Sequence, residues 1–324
     1  MNLNENVLVT GGAGYIGSHT CKALAGYGYH PVVIDNLSTG HRELVKWGPF
    51  IEGDIADGTL VKKTMEKYNI SSVIHFAANA YVGESMENPR KYFKNNVIHS
   101  LHFLENLTSE KYTVIFSSSC ATYGLPEKLP LDETHPQKPI NPYGESKLFI
   151  EKTLEWYHRI HGLNYIALRY FNAAGADPDG ETGEWHDPET HLIPNVLKAA
   201  RQQTPVEING NDFPTNDGTA IRDYIHVSDL AEAHVLALEK ARKNDNGRAY
   251  NLGSGKGYSI MEIIKAAEKI SGENIKFVYK SRRPGDPPEL VASADRAKAD
   301  LGWQPKFSDI DTIMGTAWQW MEKN

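Results

Sequence analysis

A chain of 324 residues, 40% of them hydrophobic, is long enough to bury a full nucleotide-binding unit and a smaller second region. Its net charge of -7 argues against nucleic acid and anionic membrane surfaces as partners and leaves room for a local cationic pocket. The start, Met1-Asn2-Leu3-Asn4-Glu5-Asn6, has no basic or apolar targeting pattern, and no apolar run approaches the roughly 20 residues that span a membrane. The two cysteines, Cys21 and Cys120, lack a paired spacing, which suggests a reducing cytoplasm.

Val7-Leu8-Val9 is the first expected strand. It runs into Gly11-Gly12-Ala13-Gly14-Tyr15-Ile16-Gly17 and then the helix-compatible Ser18 to Leu24. In such a strand, turn and helix, glycines let the backbone approach a pyrophosphate, and the helix N-terminus offers it unpaired N–H groups. A second strand, Pro31 to Ile34, ends at Asp35, where a carboxylate would meet the adenosine ribose of a dinucleotide. An acid there favours NAD over NADP, with Arg42 the nearest cation against that preference. Phe50-Ile51-Glu52, Ser72 to Phe76 and Thr113 to Phe116 read as strands, and Pro89 to Leu107 as a helix. Asn141 to His161 reads as a helix and Tyr165 to Leu168 as a sixth strand. This alternation predicts an α/β fold, a Rossmann doubly wound parallel sheet with helices on both faces.

The pattern changes in the polar, Gly- and Pro-rich stretch from Ala173 to Thr190. A helix Ile193 to Gln202, a loop Gly210 to Thr219 and an amphipathic helix Ser259 to Ser271 follow. Asp223 to Val227, with a Ser228-capped helix Asp229 to Lys243, looks like chain returning to the first unit. The expected organisation is a NAD-binding unit over residues 1–172, joined by about 223–250, and a smaller α/β substrate-binding unit over 173–222 and 251–324. Met314, Trp318 and Met321, with Trp320 nearby, would close the core of the smaller unit.

The chemistry resides in Tyr143-Gly-Glu-Ser-Lys147, downstream of Ser117-Ser118-Ser119. A free tyrosine ionises near ~10 and is a poor base at neutral pH. If Pro142 opens a helix, Tyr143 and Lys147 share one face at i and i+4, where a cation would lower the tyrosine pKa. Combined with the glycine turn, this suggests hydride chemistry on an alcohol. His75, His99, His102, His158 and His161 are scattered without a supporting ligand set, so no metal is expected.

The segments Gly11 to Gly17, Ser117 to Gly124, Tyr143 to Lys147, Arg169-Tyr170-Phe171-Asn172, Arg222 to Val227 and Arg282-Arg283-Pro284-Gly285-Asp286 resemble the UDP-galactose 4-epimerase family of extended short-chain dehydrogenase/reductases. The resemblance covers essentially the whole chain. It implies tightly bound NAD, contacted by Gly11, Gly14, Tyr15, Ile16, Gly17, Asp35, Asn36, Asp54, Ile55, Phe76, Asn95, Tyr143 and Lys147, with Asp54 at the adenine edge. Ser119, Tyr143 and Lys147 would be catalytic, and Ser119, Asn172, Leu192, Arg222, Arg283, Asp286 and Leu290 would contact a UDP-hexose. The implied activity is interconversion of UDP-glucose and UDP-galactose through C4 oxidation, rotation of the 4-keto sugar and re-reduction.

Three positions depart from the family pattern. His191 stands where well-known members have asparagine, Ala80 replaces a lysine found near the cofactor in some, and Leu290 replaces a tyrosine of relatives restricted to unmodified hexoses. Leucine leaves room for a 2-acetamido group, so UDP-GlcNAc/UDP-GalNAc joins the expected substrates. UDP-xylose/UDP-arabinose 4-epimerases share many of these motifs and remain an alternative. Cys120 and Ala121 follow Ser119 where the related 4,6-dehydratases carry an Asp-Glu pair after a threonine, which disfavours elimination. A non-catalytic NAD sensor is disfavoured because Ser119, Tyr143 and Lys147 are all present. The resemblance also implies a homodimer, paired through the helix after Pro89 and the helix bearing Tyr143.

Overall fold

The computed structural model describes residues 5–243, 247–283 and 285–324. Met1 to Asn4, residues 244–246 of the expected joining segment, and Pro284 of the Arg282 to Asp286 motif lie outside them. Strand β1 (Asn6–Thr10) is buried from Val7 onward, as a strand covered on both faces must be. It pairs in parallel with β2 (His30–Asp35) on one side and β4 (Ser72–His75) on the other. Beyond β2 lies β3 (Phe50–Glu52); beyond β4 lie β5 (Thr113–Ser119), β6 (Asn164–Tyr170) and finally β10 (Arg248–Leu252). The order is β3-β2-β1-β4-β5-β6-β10, every pair parallel. Strand order reverses between β1 and β4, and the crevice outside the carboxyl ends of these strands is where such sheets bind ligands.

Side chains alternate across this sheet with period two. Val7, Val9, Ile74 and Ile115 face one core, with Leu24 of helix α1 (Tyr15–Gly26) and Leu230 and Leu238 of helix α8 (Val227–Ala241). Leu8, Val32, Val73 and Val114 face the other, with Val61 of α2 (Gly58–Lys67) and Ile150 and Leu154 of α6 (Pro142–His161). The joining segment thus covers the large sheet through α8 and extends it through β10. Helix α8 begins at Val227, and its cap is His226, whose ring nitrogen Nδ1 accepts from Ser228 N at 3.0 Å; the serine expected as the cap is the donor.

The helix expected over 89–107 is broken into four segments of three windings. After α3 (Val82–Glu87) come α4 (Pro89–Tyr92), a π-helix Phe93–His99, α5 (Ser100–Leu104) and a 3-10 turn Glu105–Leu107. Tertiary bonds anchor the wide turn: buried Asn96 accepts from Asn79 N at 2.8 Å and donates to Asn79 O and Ser146 Oγ, both at 3.0 Å. π-turns commonly mark functional positions.

The second region is built on β9 (Ile221–His226), flanked by β7 (Asn172–Ala174), β11 (Gly257–Ser259) and β13 (Glu289–Leu290). A separate parallel pair joins β8 (Val206–Asn209) to β12 (Phe277–Lys280). Helices α7 (Leu192–Gln202), α9 (Ile260–Ser271) and α11 (Ile310–Lys323) enclose a third core, which Met314 fills and Trp318 and Met321 border. Between them α10 (Asp295–Leu301) sends Ala297 and Leu301, with Trp303, into the core of the large sheet. Among the described residues no helix is long and apolar enough to cross a membrane.

Candidate active site

The turn after β1 needs glycine for two separate reasons. Gly11 has φ +74°, and a Cβ there would lie 2.7 Å from Ala77 N; a Cβ on Gly17 would lie 2.2 Å from Gly11 O. Gly14 is the N-cap residue of α1 with no side-chain cap, and no acid stands in the first turn. The N–H groups around Tyr15 and Ile16 are therefore free to face an anion. The Tyr15 side chain points elsewhere, donating its hydroxyl to Gly175 O at 2.5 Å.

Gly11, Asp35, Asn36, Asp54, Ile55, Phe76 and Asn95 line one cleft outside these strand ends. Asp35 accepts from Ala13 N at 3.0 Å and Leu37 N at 2.9 Å. Burial pushes its carboxyl up, and the two N–H bonds oppose that shift while leaving lone pairs for ribose hydroxyls. Asn36 donates to Asp54 at 2.9 Å, and Asp54 also accepts from Ala56 N at 2.8 Å, which fixes that carboxylate at the cleft wall. The residues fit a dinucleotide: an uncapped helix N-terminus, two positions a Cβ would block, and an acid ending β2. The Arg42 guanidinium lies 4.4 Å over the Phe50 ring and does not line the cleft.

Strand β5 runs through the serines that sequence patterning left outside it, because β6 pairs with each of them. Ser117 Oγ bonds the Tyr170 hydroxyl, and Ser118 Oγ donates to Glu151. Ser119 ends the strand, its Oγ accepting from Ala121 N at 3.1 Å. Asn141 caps α6 by accepting from Gly144 N at 2.8 Å, and Pro142 occupies the first turn, so Tyr143 and Lys147 do share a face. The Lys147 ammonium donates to Ser117 O at 2.7 Å and lies 5.8 Å from the centre of the Tyr143 ring.

The charge states differ from the expectation that Lys147 lowers the Tyr143 pKa. Burial pushes Tyr143 up to about 12, opposed only by its hydrogen bond with Ser119. Burial also brings Lys147 down to about 7, against the field of Glu151. The ammonium is buried along with the phenol and turned toward a carbonyl, so it contributes little charge to the ring.

Sequence reasoning missed what supports this pair. Glu151, one turn beyond Lys147, accepts from Arg169 Nε at 2.9 Å and from a second guanidinium nitrogen at 2.6 Å, with both side chains buried. Arg169 also donates to the Tyr123 hydroxyl at 3.0 Å, which donates to Asn251 at 2.7 Å. The available signal was an arginine inside an otherwise apolar strand.

On the substrate side, β6 passes Tyr170, the register partner of Ser119, and leads into Asn172 at the start of β7. Asn172 donates to Asp223 O at 3.0 Å. Leu290 on β13 stands opposite Arg222 on β9 and packs against the cluster of Tyr123, Leu131 and Phe171. The Arg222 guanidinium is paired with Asp286. Arg283 lies exposed in the segment after β12, and Leu192 is the first residue of α7. The missed residue here is Asp223, whose buried carboxylate accepts from Ser254 N at 2.8 Å, Gly255 N at 3.0 Å and Ala292 N at 3.1 Å, tying two segments to β9. Ala80 is exposed in the segment after β4.

Fold and site together define a nucleotide-dependent enzyme of the short-chain dehydrogenase/reductase type. The model of the NAD dependent epimerase/dehydratase family matches residues 7–253. A UDP-glucose 4-epimerase of Rhizobium leguminosarum bv. trifolii is 48% identical over 99% of this chain and 98% of its own length. One from Lacticaseibacillus casei is 48% identical over 98% of this chain and 97% of its own. A crystal structure of UDP-glucose 4-epimerase from Brucella ovis in complex with NAD is 54% identical, covers 97% of this chain and 98% of its own, and superposes with a TM-score of 0.94. The chain belongs to the NAD dependent epimerase/dehydratase family, and its likeness to the UDP-glucose 4-epimerases within it runs the full length.

Proposed function

We propose that the protein interconverts UDP-glucose and UDP-galactose by inverting C4 with NAD retained through turnover. The observation that carries this reading is the convergence of Ser119, Tyr143 and Lys147 at the end of β5 and start of α6. Tyr143, as phenolate, takes the 4-hydroxyl proton while C4 gives up its hydrogen as hydride, and returns the proton when hydride comes back on the opposite face. NAD supplies the hydride acceptor and later donor, and its oxidised ring carries the positive charge that a buried phenol needs to ionise. Ser119, bonded to Tyr143, shares the proton at the 4-oxygen. Lys147 and Tyr143 would hold the nicotinamide ribose, and Asp35 and Asp54 the adenosine end. Arg222 and Arg283 suit the diphosphate because guanidinium pairs with phosphate oxygens in a planar fork. Asp286, held against Arg222, is set to take a uridine ribose hydroxyl. Asn172 and Leu192 would line the sugar and nucleotide site.

Leu290 favours a second substrate class within this activity. A leucine packed against the cluster that contains Phe171 and Tyr123 is smaller than a tyrosine, which favours 2-acetamido sugars beside hexoses. A homodimer is supported by the apolar residues that α6 turns to solvent. Trp156 and Ile160 are 60% and 67% exposed on the same face as Phe149, and Phe93 and Ile98 are exposed on the adjacent π-helix. Two cysteines without a disulfide, Cys21 and Cys120, support a reducing cytoplasm.

The test is a product assay without added NAD on UDP-glucose, UDP-GlcNAc and UDP-xylose. Formation of the 4-epimer of UDP-glucose is expected; loss of water, or no turnover, would overturn the reading. UDP-GlcNAc left unchanged while UDP-glucose reacts would remove the wider substrate range alone.

A further inference from the structure

Among the described residues, two groups of potential metal ligands lie outside the proposed catalytic site, and they differ in one respect. Asp177, Asp179 and Glu181 surround the Lys22 ammonium at 2.7, 2.6 and 2.7 Å, so a cation from the chain already occupies the space between them. Glu184, His186, Glu189 and His191 bring one ligand atom each to within 4.8 Å of one another, with no lysine or arginine among them. We propose that these four residues form a site for a divalent transition metal of the zinc class, in the segment that leads into α7.

The four ligand atoms lie close together. Nδ1 of His191 lies 2.8 Å from both Glu184 Oε1 and Glu189 Oε1, and Nδ1 of His186 lies 3.3 Å from Glu184 Oε1 and 3.5 Å from Glu189 Oε2. Ligands bound at about 2.1 Å in a tetrahedron stand about 3.4 Å apart, so the two His186 separations fit to about 0.1 Å and the two His191 separations must open by about 0.6 Å. The set, two imidazoles and two carboxylates, suits zinc.

Charge alone does not choose between a metal and two protonated rings, because either supplies two positive charges to two carboxylates. The orientation of His186 does. Its Nδ1 is buried with no hydrogen-bond acceptor in line, although two carboxylate oxygens are nearby. An N–H would be poorly served there, whereas a lone pair directed between those oxygens is what a metal ligand presents. The two rings, 5.0 Å apart between centroids, are walled by the Tyr81 ring at 5.9 and 5.8 Å and the Tyr15 ring at 6.2 Å.

Within the segment Glu189 Oε1 also accepts from Thr190 N and His191 N, both at 2.8 Å, which fixes that carboxylate, and further bonds hold the segment from outside. Trp320 donates to Glu184 O at 3.0 Å, Trp185 stacks on His41 at 4.0 Å, and Asn195 donates to Glu189 O at 3.3 Å. A metal at the centre would staple the approach to α7 and hence fix Leu192. Sequence patterning pointed away from a metal because the histidines it weighed are scattered, and this set stands in a polar stretch with no regular period.

The test uses the full-length protein with its NAD, dialysed against EDTA and then titrated with Zn2+ by calorimetry and with Co2+ by visible absorption. One equivalent of each ion is expected, with the intense spectrum of tetrahedral Co2+ and release of protons on binding. His186→Ala and Glu189→Gln should each weaken Zn2+ binding by about 100-fold or more, at or beyond the upper end of the ~10–100-fold typical of outer-shell changes. Asp179→Asn, in the lysine-filled cluster, should leave it unchanged. Circular dichroism and NAD content identify folded variants, and Glu189→Gln serves if His186→Ala does not fold. No stoichiometric binding by the wild type, or equal affinity in folded His186→Ala or Glu189→Gln, would overturn the proposal.

Discussion

Arg169→Met is the most direct way to ask what stands behind the catalytic strand. It removes the guanidinium that makes three contacts with Glu151, at 2.9, 3.2 and 2.6 Å, and leaves a carboxylate whose side chain is 7% exposed. Ser118 and Gln137 still donate to that carboxylate, the latter at 3.0 Å, but neither supplies charge. Orphaning one member of a buried pair costs about 3–5 kcal/mol. For a chain of this length that corresponds to roughly 6–10 °C in Tm, at about 2 °C per kcal/mol. Glu151→Leu, which strands the guanidinium against Tyr123, should cost a similar amount. The double variant loses both charges, and its main remaining debt is the two donors left on Ser118 and Gln137, about 1 kcal/mol each. It should therefore melt well above the value expected from adding the two single effects. Thermal unfolding of all four proteins followed by circular dichroism closes the cycle. Additive losses, or a loss under about 1 kcal/mol for Arg169→Met alone, would show that the pair is not the electrostatic unit described.

Tyr143→Phe should lower turnover by about 100- to 10,000-fold, the usual range for losing a general base, with NAD still bound when the protein is denatured and its nucleotide counted. Leu290→Tyr should reduce the ratio of UDP-GlcNAc to UDP-glucose turnover at least tenfold; an unchanged ratio would detach Leu290 from specificity. Stability should fall steeply in acid, because burial holds His19, His226 and His234 down to about 4 and His75 to about 3. Below the unfolded value of ~6.5 the unfolded chain binds up to four more protons than the native one, so unfolding free energy drops by up to about 5 kcal/mol per pH unit until about pH 4. Denaturant midpoints measured from pH 7 to 4 check this; a flat profile would contradict it.

The large sheet was readable because its signals are local. Val7 to Val9, the glycine turn and the strand ending at Asp35 need only apolar runs, backbone freedom and a charge at a boundary. What escaped depends on partners distant in sequence. Serine is an indifferent strand former, so the extension of β5 to Ser119 comes from pairing with β6. The π-helix depends on Asn96 reaching Asn79 and Ser146. The spacing of Tyr143 and Lys147 was legible, whereas their ionisation was not, because desolvation belongs to the folded environment. His191 was visible only as a departure from a family pattern; its carboxylate partners became apparent once the 184–191 segment was folded.

The position of β10 bears on how this polypeptide can be made and cut. The sheet edge at β6 stays open, with its N–H and C=O groups unpaired, until Arg248–Leu252 arrive, and the apolar face that Leu230 and Leu238 cover stays bare until α8 has been synthesised. A ribosome that has released only the first 172 residues therefore presents a sticky intermediate. Any fragment ending there should need solubilising help, and the smallest autonomous piece of this molecule has to include its later strand.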